Sequence, residues 1–229
     1  TASAGASLPR TGRSGEVLVA LIANALSATG PAFHAPTSLA ALASEVDALR
    51  SRRVWDEKHP IEYKIALERF PDAHFSSLFS IVGIKNSESI NLDDWKWKGR
   101  VVLGGHNIKT AMGEKAIFTG SSSTPSTMEA ARILVALKAL FPDLELLQSD
   151  CIRAYVQAKM TGPKTFVRLP KKWWPAEWIK LNLTDPVCEL LMALYGHPKA
   201  GDIWNEKIHD VLIEESFEMV EGWPGVYVK

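Results

Sequence analysis

Cysteine is nearly absent from this chain. Its 229 residues hold only Cys151 and Cys188. That spacing makes neither a disulfide framework nor a metal-binding pair. Both stand in apolar, strand-like contexts, where buried free thiols are the common outcome. This suits a reducing compartment, so an intracellular site, cytoplasmic or nuclear, is the expectation. Net charge is also missing, with Lys+Arg 26 against Asp+Glu 26. Many nucleic-acid binders are basic overall; any such role here must come from cations gathered in one region. The histidines, His34, His59, His74, His106, His197 and His209, never fall at i,i+3 or i,i+4, which argues against a zinc site. Long apolar runs are missing too. The run Val17–Ala23 falls far short of the ~20 residues a membrane helix needs, so a short packed helix is expected there, with no membrane partner.

What remains describes an ordinary globular protein, 46% hydrophobic and long enough to bury a core. Residues 1–37 read as a flexible leader, rich in Ser, Gly, Ala and Thr, that carries the short apolar helix. Ser38 opens a helix with Leu39, Leu42, Val46 and Leu49 at helical spacing. The stretch 56–90 gives mixed signals, although Phe75, Leu78, Phe79, Ile81 and Val82 suggest core contact. Residues 95–103 are clearer. Trp95, Trp97, Val101 and Leu103 alternate with Lys96, Lys98 and Arg100, which is a strand with one apolar and one cationic face. That cationic face reads either as a solvated surface or as a phosphate-binding row, in which Arg100 has the bidentate chemistry.

Further on, Ser126-Thr-Met-Glu129 is a capping box ahead of a helix with Ala130, Ile133, Leu134, Leu137 and Phe141 on one face. Pro142 ends it. Leu144-Glu-Leu-Leu-Gln-Ser-Asp150 then reads as an apolar strand delivering a lone carboxylate, followed by Cys151-Ile-Arg-Ala-Tyr155. A strand at 165–169 leads to a loop with Trp173, Trp174 and Trp178. Beside Lys171 and Lys172, Trp173 and Trp174 could stack on single-stranded nucleic acid, or the loop's tryptophans simply pin it to the core, the commoner use of large aromatics. A strand at 187–192 runs into Tyr195-Gly-His-Pro-Lys-Ala-Gly201, and Asp202 is a candidate N-cap for a helix with Ile203, Trp204, Ile208, Val211 and Leu212 inward. Gly225–Lys229 looks like the start of a strand.

In order and spacing, Lys98-Gly-Arg-Val-Val-Leu-Gly-Gly105, Asp150-Cys-Ile-Arg-Ala-Tyr155, Thr165-Phe-Val-Arg-Leu-Pro170, Pro186-Val-Cys-Glu-Leu190 and Leu194–Trp204 resemble the reverse transcriptase of copia-type retrotransposons. The resemblance covers roughly residues 38–229. It implies an α/β (α+β) fold, the fingers and partial palm of a right-hand polymerase, with a mixed or antiparallel sheet and packed helices. It also implies RNA-directed DNA synthesis by two-metal nucleotidyl transfer.

Asp150 would then be the catalytic, metal-binding acid at the end of a central strand, in a cleft beside Tyr155. The Cys151 carbonyl would contact the same Mg²⁺ (or Mn²⁺). Arg100, Tyr155 and Lys199 would be nucleotide-binding, with Tyr155 under the incoming sugar. Lys96 and Lys98 would bind nucleic acid. The implied partners are an RNA or DNA template-primer, dNTPs and the rest of a retroelement polyprotein, including integrase and RNase H. Two departures stand out. Lys199 occupies a place where the family commonly has Gln, within Tyr-Gly-Leu-Lys-Gln-Ala-Pro. The Tyr-x-Asp-Asp hairpin with the other two carboxylates is not within residues 1–229. Asp150 alone is therefore expected to leave the fragment inactive, and the alternative is a degenerate retroelement remnant that binds nucleic acid without catalysis.

Overall fold

The structure, a computed structural model, describes residues 23–119, 126–148 and 151–229. In chain order its elements are β1 (Ala23–Ala25), α1 (Pro36–Ser51), β2 (Ile61–Glu62), α2 (Tyr63–Arg69), β3 (His74–Lys85), β4 (Lys96–Leu103) and β5 (Lys109–Thr110). Then come α3 (Met128–Leu140), β6 (Thr165–Arg168), α4 (Ala176–Lys180), β7 (Pro186–Glu189), α5 (Ala200–Glu214), β8 (Glu218–Met219) and β9 (Tyr227–Val228). The fold is mixed α/β. Among the described residues a seven-stranded mixed sheet runs β1-β3-β6-β7-β2, with β4 and β5 also paired to β3, and β8 and β9 form a separate hairpin. The chain divides into two compact units, Thr1–Val46 with Ser80–Arg100, and Asp47–Phe79 with Val101–Lys229.

In the first unit, β1 pairs antiparallel with the end of β3, from Ala23↔Lys85 to Ala25↔Gly83. Helix α1 turns Leu42, Val46 and Leu49 into the interior, while Leu39 is exposed. Strand β4 keeps the period of two read from its sequence. Lys96, Lys98 and Arg100 are exposed, Trp97 and Gly99 half-buried, and Val101 and Leu103 buried. Gly99 has a steric reason. A Cβ there would lie 2.6 Å from the Leu42 Cα and 2.7 Å from the Ala41 carbonyl oxygen, so α1 can approach β4 only where no side chain intervenes.

The second unit is built on the start of β3, which pairs parallel with β6 from His74↔Thr165 to Ser77↔Arg168. A parallel pair requires a crossover connection, and here everything from β4 to residue 164 intervenes. Strand β6 pairs antiparallel with β7, and β7 with β2. Phe75 and Phe166, neighbours in the parallel register, stack at 5.6 Å with their rings 15° apart. Ala66, Ala73 and Val187 complete a buried cluster around them, with Tyr63, Leu67 and Phe70 packed against it. The small side chain of Ala66 lets the short α2 sit close to the sheet. Trp173 and Trp178 are buried, and the Trp178 indole N–H donates to the Glu57 carbonyl at 2.9 Å. For these two rings the packing reading holds.

Several elements differ from the sequence reading. The apolar leader segment does not end as a helix, because Ala23–Ala25 form a strand on β3; Val17–Ile22 lie outside the described residues. Helix α1 begins at Pro36 rather than Ser38, whose buried hydroxyl donates to the Ala32 carbonyl. Helix α3 is capped by Thr127, not Ser126, its hydroxyl oxygen accepting from the Ala130 N–H. The expected inward face of α3 is largely exposed at Ile133, Leu137 and Phe141. Residues 144–148 form no strand, and Leu144, Leu146 and Leu147 are exposed. Strand formation depends on a partner ladder and same-face packing more than on propensity, and none of the described strands pairs with these residues.

A substitution separates the two faces of β4. Gly99→Ala is expected to lower unfolding stability by about 1–3 kcal/mol through overpacking against α1. Lys98→Ala, on the solvated face, should change it by under ~0.5 kcal/mol. Urea denaturation midpoints of the two variants check this.

Candidate functional site

Within the second unit, segments far apart in sequence meet around the start of α5. The Leu103 N–H donates to the Tyr195 carbonyl at 2.8 Å. Two glycines make this contact possible. A Cβ on Gly105 would lie 2.0 Å from the Gly196 carbonyl oxygen, and one on Gly196, whose φ is +91°, would lie 2.1 Å from the Leu103 carbonyl oxygen. Positive φ is costly for any residue with a Cβ. Gly104 is held from the other side, its N–H donating to the Ser77 carbonyl and its carbonyl accepting from the buried Ser76 hydroxyl.

The segment after Cys151 joins the same neighbourhood. Tyr155 opens a short 3₁₀ turn and lies against Tyr195, ring centroids 4.8 Å apart. Ala158, Ala193, Ala200 and Ile203 form a buried cluster with Tyr155, Met160 and Trp204 around it. Three alanines here let the 3₁₀ turn, the segment after β7 and α5 approach closely.

A cleft of about 620 Å³ opens beside this junction, lined by His74, Ile117, Phe118, Thr119, Thr161–Pro163, His197, Lys199, Asp202, Ile203, Asn205 and Glu206. The Phe118 ring contacts two imidazoles edge-on, His74 at 5.1 Å and His197 at 5.4 Å. His197 is the buried one, at 6% exposure. Its Nδ1 accepts the Lys199 backbone N–H at 3.1 Å, so that nitrogen carries no proton. Its Nε2 then bears the hydrogen and faces the Thr165 hydroxyl at 3.5 Å. Burial, and secondly the neighbouring His74, push the His197 pKa down to about 4. Burial also lowers His74. Both rings are neutral at pH 7.

Lys199 stands at the N-cap of α5, which begins at Ala200, so Asp202 falls in the first turn instead of at the cap. An acid there favours the helix dipole. The Lys199 ammonium donates to the Thr119 carbonyl at 2.7 Å and to the Asp202 carboxylate at 3.2 Å. The sequence reading made Lys199 nucleotide-binding; in the structure it lines the cleft.

Asp150 lies outside the described residues. Cys151 is half-buried and belongs to no strand. Tyr155 and Lys199 belong to this second unit, at the two ends of the α5 junction. Lys96, Lys98 and Arg100 belong to the first unit, as the exposed face of β4. Among the described residues no three of His, Cys, Asp and Glu converge closely enough to hold a metal ion. Sequence reasoning passed over His74, Phe118, His197, Asn205 and Glu206. A signal existed for one of them, since His197 occupies the position of Leu in the run that Tyr195–Gly201 resembles. No protein-family model, no curated protein and no solved structure matches the chain.

Two measurements follow from this geometry. Gly196→Ala is expected to destabilise the protein by about 3 kcal/mol or more, combining left-handed strain with backbone overlap. Gly113→Ala, where a Cβ meets nothing within 4 Å, should cost less in the same denaturation assay. His197 makes stability depend on pH. Its folded pKa of about 4 lies below the ordinary 6.5, so the unfolded chain takes up the proton first. The stabilisation is complete above pH 6.5 and is lost as pH falls toward 4, amounting to about 3 kcal/mol. Imidazole NMR titration should place His197 near 4, and a titration near 6.5 would refute the buried neutral tautomer.

Proposed function

We propose that this chain is the fingers and partial palm of an RNA-directed DNA polymerase of the copia-type retroelement class, binding template-primer and dNTPs. One observation carries the reading. The segments that resemble the family's motifs, although scattered from Leu103 to Trp204, meet at one junction: Leu103–Gly105 on Tyr195–Gly196, Tyr155 on Tyr195, and Thr165 facing His197. Ordered motifs that converge in space are what a shared working site requires, and a chance match in sequence has no reason to bring them together. The exposed Lys96, Lys98 and Arg100 add a second support. Successive same-face residues on a strand are spaced about 6.6–6.8 Å apart, which gives a regular cationic row suited to a phosphate backbone.

In this reading Tyr155 sits beneath the incoming sugar and disfavours a 2′-hydroxyl by bulk. Its contact with Tyr195 would fix the ring's position. The β4 row would hold the nucleic-acid backbone electrostatically. The Mg²⁺ requirement rests on Asp150.

Two experiments test the proposal. The first is primer extension on an RNA template by the chain carried through a Tyr-x-Asp-Asp hairpin. Extension is expected, abolished in Asp150→Ala, and Tyr155→Ala should admit ribonucleotides at least about tenfold more readily, a change of ~1.4 kcal/mol in discrimination. The second is template-primer binding against salt. Replacing Lys96, Lys98 and Arg100 with Ala should flatten the log–log salt slope by up to about 2.7, at ~0.9 per lost phosphate contact on duplex. Binding whose salt slope ignores these residues would overturn the role of β4. Extension that survives Asp150→Ala would overturn the polymerase reading. Salt-sensitive binding with no extension would instead favour the non-catalytic remnant.

A further inference from the structure

The cleft beside α5 has a composition that the polymerase reading does not use. A triphosphate pocket needs converging cations, and this cleft has one, Lys199, whose ammonium already engages the Asp202 carboxylate and the Thr119 carbonyl. Asp202 and Glu206, four residues apart on α5, add two carboxylates to the same lining. His74 and His197 are pushed toward the neutral form and add no positive charge. The carboxylates outnumber the cation, so a polyphosphate is disfavoured.

The rest of the lining suits a flat, uncharged ring. Phe118 is half-buried and Ile117 is 86% exposed, so an aromatic and an aliphatic side chain stand side by side in the lining. The ring of Phe118 is fixed by its two imidazole contacts, which lowers the entropy cost of stacking against it. Polar groups are also present: the Asn205 amide, the Thr119 and Thr161 hydroxyls and the exposed Glu206 carboxylate. A carboxylate only accepts hydrogen bonds. It therefore pairs with bases that offer an exocyclic amine, as acids do with the cytosine N4 amine. Bases presenting only carbonyls on that edge would leave it opposed to another acceptor.

We infer that this cleft is a nucleobase pocket, which takes one unpaired base of a single strand by stacking on Phe118 and selects amino-bearing bases through Glu206. It rests on the reading of the chain as a nucleic-acid polymerase domain, and it places Lys199 in the wall of a base pocket. Stacking of this kind is tolerant of sequence, so the preference comes from the carboxylate. The neutral His197 holds the start of α5, through the Lys199 N–H, in the position that presents Glu206 and Asn205 to the cleft.

The test is fluorescence anisotropy of the chain with short labelled single strands of equal length: oligo(dC), oligo(dT) and an abasic strand with the same backbone. Oligo(dC) should bind about tenfold tighter than the abasic strand, with oligo(dT) between them. Phe118→Ala should bring oligo(dC) down to the abasic level. Glu206→Gln keeps an acceptor but adds a donor that suits thymine O4; it should erase the preference for dC over dT. Glu206 is exposed, so this variant tests the pocket even if Phe118→Ala perturbs the fold. If all strands bind equally well, and neither variant changes that, the base pocket is refuted while backbone binding and the polymerase reading stand. If no strand binds at any salt concentration, both fail.

Discussion

The contact on which the second unit turns is the backbone approach of Leu103–Gly105 to Tyr195–Gly196. It is a main-chain contact, closed by the hydrogen bond from the Leu103 N–H to the Tyr195 carbonyl and permitted by two missing side chains. A Cβ on either glycine would overlap a carbonyl oxygen, and no rotamer change can relieve a clash with backbone. From this contact the neighbouring geometry follows. Tyr195 is held where Tyr155 can lie against it, Gly196 turns the chain at positive φ, and His197 is carried into the interior. There it takes the Lys199 N–H and sets the start of α5. The cleft beside α5 is a product of that chain of constraints.

How much of this could be read from the sequence depends on where the physical information lies. Strand β4 was readable in full, because its alternation is local and every cation stands on the face that the period assigns. Strands β6 and β7 and helix α5 were found to within a few residues for the same reason. Cys188 was expected to be a buried thiol and is one, with burial pushing its pKa well up. What failed was whatever depended on distant partners. Leu144–Leu147 looked like a strand, yet no described strand pairs with it. Helix α3 has the right period, but period states only that a face is apolar and not that anything covers it. Ala23–Ala25 read as the end of a helix and became a strand because β3 offered an edge.

The candidate site shows the same division. Tyr155 and Lys199 were named from motifs, and both belong to the α5 junction. Their environments could not be foreseen, since Tyr195 and Asp202 reach them through the fold. His74 and Phe118 come from segments with no motif at all, and only the parallel pairing of β3 with β6 and the turn after β5 bring them to His197. The charge balance of the cleft likewise emerges only in three dimensions. A lysine that the motif makes nucleotide-binding is, in the fold, engaged by a carboxylate and a carbonyl.

The central claim is that the β4 cation row and the cleft beside α5 both belong to a nucleic-acid-binding polymerase domain. Hydrogen-exchange mass spectrometry of the chain with and without an RNA–DNA primer-template tests it most directly. The account predicts slower exchange on binding in peptides spanning residues 96–103 and 117–119 and in the first turns of α5, with the exposed turn at Gly113 unchanged. Binding that protects neither β4 nor the α5 junction, or protection confined to other parts of the chain, would contradict it.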